Sequence, residues 1–182
     1  MCGIVAVTGY KKALPLLING LEKLEYRGYD SAGIAVINSE TNSIICNKAE
    51  GKLKNLINNL NDENIPGTVG IGHTRWATHG GKTDLNAHPH LSNNGKIAIV
   101  HNGIIENYLY LKKMLIEEGY RFYSDTDTEV ISNLLEFNYE KDFSKTINKT
   151  IQMLSGTYGL GIINLNESMK IYCVRKGSPL LV

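Results

Sequence analysis

Two pairs of strand-like runs lie so close together along the chain that each pair can associate only antiparallel. Residues 32–37 and 43–47 flank the segment 38–42, and residues 158–165 and 169–174 flank Asn166-Glu167-Ser168. Both pairs read as hairpins, because a parallel crossover needs about a dozen residues or more. Helical periodicity fills most of the remainder. Leu14, Leu17, Ile18, Leu21 and Leu24 recur at helical spacing and predict an amphipathic helix over residues 13–24. Further helices are expected over 107–118, 127–137 and 143–154, with a short one around Leu53, Leu56, Ile57 and Leu60. Strands are expected at 4–7, 69–73 and 97–101. Hairpins mixed with helices predict an α+β class with antiparallel sheets rather than a doubly wound parallel sheet.

Composition then removes whole classes of function. With 19 basic against 18 acidic residues, the net charge of +1 gives no electrostatic reason to expect nucleic acid or a membrane surface. At 182 residues and 42% hydrophobic content, the chain can bury a core as one domain. No apolar run approaches the roughly 20 residues that span a bilayer, and the start of the chain lacks the charge order of a secretory signal. A cytoplasmic protein is expected. The three cysteines, Cys2, Cys46 and Cys173, form neither a disulfide framework nor a C-x-x-C pair. No P-loop, strand-linked G-x-G-x-x-G or H-E-x-x-H occurs, and no cofactor is expected. The glycine-rich stretch 156–161 reads as a tight turn.

Five segments could carry chemistry, and each also has a structural explanation. Cys2 could be a small buried hydrophobe. If Met1 is removed, it instead carries a free α-amine with a pKa of about 7.7–8.0, placing nucleophile and base on one residue. The run from His73 to His90 could be a surface loop, or a metal site using His73, His79, His88 and His90. It could also be a substrate clamp, with Arg75 as a bidentate fork for a carboxylate and Trp76 closing over it. His101-Asn102-Gly103 carries the strongest short hairpin signal, yet a helix pattern follows. A strand-turn-helix junction there could aim an Asn102 amide and a Gly103 N–H at a developing oxyanion. Thr126 and Glu129 fit a capping box, with Asp127 either serving the helix dipole or holding a substrate ammonium. Residues 25–33 read as a turn in which Arg27 forms an ion pair. Taken together, the functional readings describe thiol attack on an amino acid amide, with glutamine the obvious candidate.

Several motifs in order carry a family resemblance. They are Met-Cys-Gly-Ile at the start, E-Y-R-G-Y-D-S-A-G at 25–33, H-T-R-W-A-T-H-G at 73–80, N-A-H-P-H at 86–90, H-N-G-I-I-E-N at 101–107 and T-D-T-E at 126–129. In these, the chain resembles the glutaminase (type 2 glutamine amidotransferase) domain of the glucosamine-6-phosphate synthases, essentially end to end. The resemblance implies an N-terminal-nucleophile hydrolase αββα sandwich, with two antiparallel sheets between helical layers. It implies that Cys2 attacks the glutamine side-chain amide and that Asn102 and Gly103 form the oxyanion hole. Arg75, Thr78 and His79 would bind the glutamine carboxylate, and Asp127 with Gly103 its amine. Trp76 would be a lid that also gates the passage of ammonia, and Arg27 would stand behind Cys2. His88 receives no chemical role. Ammonia would go to fructose 6-phosphate, bound by sugar-isomerase domains that lie outside this sequence, in a homodimeric full-length enzyme. The chain is thus expected to be a C-terminally truncated amidotransferase domain spanning residues 1–182. Amidophosphoribosyltransferase-like glutaminases and a non-catalytic glutamine-binding fragment are the alternatives.

Overall fold

The structure is a computed structural model that describes residues 2–60, 65–77, 80–179 and 181. Eight strands form two four-stranded antiparallel sheets. The first contains β1 (Gly3–Val7), β2 (Ser31–Asn38), β3 (Ser43–Glu50) and β4 (Gly70–Arg75) in the order β1-β4-β2-β3. The second contains β5 (His90–Leu91), β6 (Ile97–Ile105), β7 (Gly156–Asn164) and β8 (Ile171–Lys176) in sequence order. Helices α1 (Ala13–Leu24) and α2 (Leu53–Asn59) cover the first sheet. Helices α3 (Tyr108–Glu117), α4 (Thr128–Phe137) and α5 (Phe143–Met153) cover the second.

The layering follows from period-two alternation in strands that are buried on both faces. In β2, Ala32, Ile34 and Val36 face the helices, while Ala35 and Ile37 face the other sheet. In β6, Ile97 and Ile99 face α3–α5, while Ala98 and Val100 join the inter-sheet layer. Each sheet is thus sandwiched between its helices and its partner, the expected αββα arrangement.

Helix α1 matches its sequence pattern residue for residue, burying Ala13, Leu17 and Leu21 on one stripe. It packs closely because β4 offers glycines beneath it. A Cβ at Gly70 would lie 2.9 Å from Leu17 Cδ1, and one at Gly72 would lie 3.0 Å from Leu21 Cδ1. Helix α4 is buried over Thr128 to Leu135, polar Ser132 and Asn133 included.

Two turn assignments are overturned. The glycine-rich stretch 156–161 is the first half of β7, where small residues let the chain run flat against β6 and β8. Asn102-Gly103 is likewise no junction: β6 continues through both to Ile105, with Asn102 opposite Gly159 and Gly103 opposite Tyr158. Gly103 has φ +138°, and a Cβ there would collide with the Thr157 carbonyl oxygen. The Asn-Gly signal therefore marks a distorted point inside a strand, held open by the close approach of β7. Only at residues 106–107 does the chain leave the sheet and enter α3. Among the described residues, no helix is long and apolar enough to cross a membrane.

Candidate active site

The sheet order sets the start of β1 beside the end of β4, and packing of the two sheets brings β6 over both. A cavity of about 1150 Å³ opens there, and Cys2, Arg27, Arg75, Trp76, Asn102, Gly103 and Asp127 all reach its wall. Seven of the nine residues singled out in the sequence thus meet at one place. The other two, Thr78 and His79, lie outside the described residues, as does Met1.

Cys2 is half-buried, and its Sγ accepts a hydrogen bond from the Trp76 backbone N–H at 3.1 Å. Its own carbonyl accepts from Asn102 Nδ2 at 3.0 Å. That contact fixes the Asn102 amide, because a carbonyl can only accept: Nδ2 faces Cys2 and Oδ1 faces away. The other cysteines differ. Burial pushes the Cys46 thiol up to about 11, and burial also raises Cys173. Both are correspondingly poor thiolate donors.

Arg75 is 4% exposed, and its Nη1 donates to the Gly81 carbonyl at 3.2 Å. Burial lowers its pKa, while the charges of Cys2, Asp127 and Asp30 act in the opposite sense. A guanidinium stays charged under such conditions. Asp127 is buried at the start of α4, where its Oδ2 accepts the Ile105 N–H at 2.8 Å. The capping box forms only in part. The Glu129 N–H reaches Thr126 Oγ1 at 3.4 Å, but the Glu129 carboxylate turns to Tyr123 and Ser124. Trp76 is 45% exposed and meets Tyr29 edge-on at 5.5 Å.

Arg27 is a correction. Among the described residues it makes no ion pair; its Nε donates to the Tyr26 hydroxyl at 3.2 Å, and its guanidinium lies over the same ring. The acidic neighbour in this segment, Asp30, serves the loop after β4 instead. It accepts from the Ala77 N–H and pairs with Lys82 at 2.7 Å. Burial raises the Asp30 pKa, but these bonds outweigh it and hold the carboxyl below its usual value. Asp30 therefore holds both Ala77 and Lys82, a role that its position in a turn-like sequence did not suggest.

The histidines are rearranged most. His73 and Arg75 are buried residues of β4, not members of a surface loop. His73 stacks on His88 at 4.4 Å, and His88 lies edge-on to His90 at 5.0 Å. Burial pushes His73 down to about 4 and drives His88 and His90 well below the ordinary histidine value. His90 Nε2 hydrogen-bonds with Thr126 Oγ1 and His101 Nδ1 with Thr128 Oγ1. Their ring nitrogens thus serve the start of α4, and among the described residues no group of His, Cys, Asp and Glu is arranged to hold a metal. His88, given no chemical role by the sequence, is a buried packing residue whose Nδ1 accepts the His101 N–H at 3.4 Å.

Comparison with known proteins shows the family and the fold. Residues 73–180 match the family model described as "Glutamine amidotransferase domain". Over its whole length the chain is 53% identical to the glutamine–fructose-6-phosphate aminotransferase (isomerizing) of Clostridium perfringens. It is 49% identical to that of Aquifex aeolicus. It spans 30% of the length of each of these relatives. Among solved structures, it is similar to the glutamine phosphoribosylpyrophosphate amidotransferase of B. subtilis complexed with ADP and GMP. The TM-score is 0.75 at 28% identity, over 89% of this chain and 35% of that one. An "allosteric regulatory enzyme of purine biosynthesis" gives a TM-score of 0.78 at 30% identity, with the same coverage.

Proposed function

The chain belongs to the glutamine amidotransferase domain family, and on that footing we propose that its cavity hydrolyses the side-chain amide of L-glutamine, with Cys2 as nucleophile. One observation carries the reading: the Trp76 N–H holds the Cys2 sulfur and the Asn102 amide holds the Cys2 carbonyl, at the wall of a cavity that also presents a buried cation and a buried anion. An α-amino acid carries the complementary pair of charges. Arg75 would take its carboxylate, together with Thr78 and His79, and Asp127 with Gly103 its ammonium.

Once Met1 is removed, the Cys2 α-amine accepts the thiol proton, and the thiolate adds to the amide carbon. The oxygen gains the charge and is met by Asn102 Nδ2–H and the Gly103 N–H. Collapse breaks the C–N bond; the protonated amine returns its proton to the nitrogen, and ammonia leaves a thioester on Cys2. Water, giving a proton to the same amine, attacks the thioester and releases glutamate and the free thiol. Glutamine and water thus become glutamate and ammonia. Trp76 would close the cavity and pass ammonia onward, and Arg27 would support Cys2 from the cavity rim. In the full-length protein the acceptor would be fructose 6-phosphate, in a cytoplasmic homodimer.

The test uses protein with Met1 removed, confirmed by intact mass. Glutamine hydrolysis should fall on the order of 10⁴-fold or more in Cys2→Ala. An electrophilic glutamine analogue should label Cys2 and spare Cys46 and Cys173. Hydrolysis that survives in Cys2→Ala would overturn the proposal.

A further inference from the structure

The mechanism above uses Asn102 but not the group that fixes it. Cys2 O holds one side of the Asn102 amide; on the other, Asn102 Oδ1 lies 2.9 Å from His73 Nε2. Because Oδ1 can only accept, the His73 proton must sit on Nε2. We propose that His73 is a positioning residue that aims the Asn102 amide at the reacting oxygen by donating from Nε2, and that His88 keeps its ring in place. The proposal rests on the glutaminase reading.

Three features make His73 suited to the task. It is fully buried on β4, one pair position from the start of β1, since His73 lies opposite Ile4 and Thr74 opposite Gly3. Its ring stacks on His88 at an interplanar angle of 28°, and His88 in turn accepts the His101 N–H, so backbone next to Asn102 locks the stack. Among the described residues its Nδ1 makes no hydrogen bond, as suits the unprotonated nitrogen of a neutral ring, although the His101 backbone lies near enough to favour a proton on the ring and so acts against burial. Burial holds that ring neutral across the neutral pH range. An imidazolium in this position would bring a charge beside Arg75, and the alternative tautomer would set a lone pair against Oδ1. That tautomer would favour rotation of the amide, with Oδ1 turned to where the oxyanion forms. The bond therefore selects one of two amide orientations, and only the selected one offers N–H to the intermediate.

Two measurements test this, both on the full chain with Met1 removed. The first does not depend on activity. Nitrogen-15 NMR of the histidine rings should show His73 as the neutral tautomer protonated at Nε2 between pH 6 and 8. A ring protonated on Nδ1 alone, with Nε2 bare, would overturn the proposal. The second compares kinetics. His73→Phe preserves the stacking surface and removes the donor, and it should lower kcat by at least 10-fold, towards the roughly 10²–10³-fold expected for a lost oxyanion donor. KM for glutamine should change by less than about threefold, because the bond is to the hole and not to the substrate. His73→Gln, whose amide N–H can stand near the position of Nε2, should recover most of the loss. In an Asn102→Ala background, His73→Phe should add nothing. Full kcat in His73→Phe, a rise in KM alone, or additive losses would each overturn the proposal. A wild-type chain that cannot hydrolyse glutamine but shows the Nε2 tautomer would instead defeat the glutaminase reading and leave the geometry standing.

Discussion

β2, β4 and β6 all run from one half of the inter-sheet space to the other, and their inward residues change character midway. In β4 the inward series is Ile71, His73, Arg75; in β6 it is Ala98, Val100, Asn102. In β2 Ile37 and Ala35 give way to Gly33 and Ser31. One half is an aliphatic layer of Ala35, Ile37, Val69, Ile71, Ala98, Val100 and Ile163. The other holds His73, Arg75, His88, His90, Thr126 and Asp127, all nine-tenths or more buried. The aliphatic half needs little beyond volume and close packing. The polar half depends on specific partners for most of its groups, because a buried polar atom left unpaired costs about 1–3 kcal/mol. The difference teaches that stability and chemistry are drawn from the same strands but are separable along them.

That separation can be tested. The largest expected effect is on stability: Ile163→Ala, at a fully buried site in the aliphatic half, should lower unfolding free energy by about 2–5 kcal/mol in urea titration. Its kcat/KM, measured below the unfolding transition, should stay within about twofold of wild type. A large activity loss in folded Ile163→Ala would break the comparison. Next comes Gly103→Ala in the polar half. The added Cβ meets the Thr157 carbonyl, so β6 and β7 must part where the oxyanion would be held. The expected loss in kcat is about 10²–10³-fold, with a smaller change in the melting temperature than Ile163→Ala causes. Wild-type rates in Gly103→Ala would remove Gly103 from the site.

The smallest effect per group is the response to acid. His73, His88, His90 and His101 all have pKa values lowered chiefly by burial, His73 to about 4. Below the unfolded-state value of about 6.5, the unfolded chain binds protons that the folded chain refuses, so stability rises with pH through this window and is fully present above it. His73 should cost up to about 1.4 kcal/mol of stability per pH unit as the pH falls from 6.5 towards 4, and His88, His90 and His101 act in the same direction. Denaturation midpoints measured from pH 7.5 to 5 should fall accordingly. A flat profile would mean that the polar half is open to water.

The two halves also differed in how readily the sequence revealed them. The aliphatic half and the helix-facing layers follow period 2 and period 3.6, so α1 was placed with its observed bounds and both hairpins within two or three residues of theirs. The residues of the polar half were recognisable as types, but their arrangement was not. Asn102-Gly103 has the local signature of a turn, and only its pairing with Gly159 and Tyr158, over fifty residues away, keeps it extended. β5 is two residues long and has no period to detect. His73 looked like part of a histidine-rich loop because its partners, Asn102 and His88, are set by sheet packing rather than spacing. Arg27 looked like an ion-pair partner because no local pattern could show that Tyr26 would take its Nε or that Asp30 would turn to Lys82.

The position of β1 has a consequence for timing. Cys2 leads the strand at the edge of the first sheet, and β1 pairs with β4 alone. Its sulfur is bonded to residue 76, its carbonyl to residue 102, and the buried carboxylate across the cavity is residue 127. Contacts of such sequence separation form late, after the loops between them have closed. The residue that leads β1 is therefore among the last to acquire its surroundings. Until β4 and β6 are in place, Cys2 lacks the Trp76 N–H and the Asn102 amide that hold it. On the proposed function, the fold thus leaves its nucleophile unpositioned until those strands have closed on it.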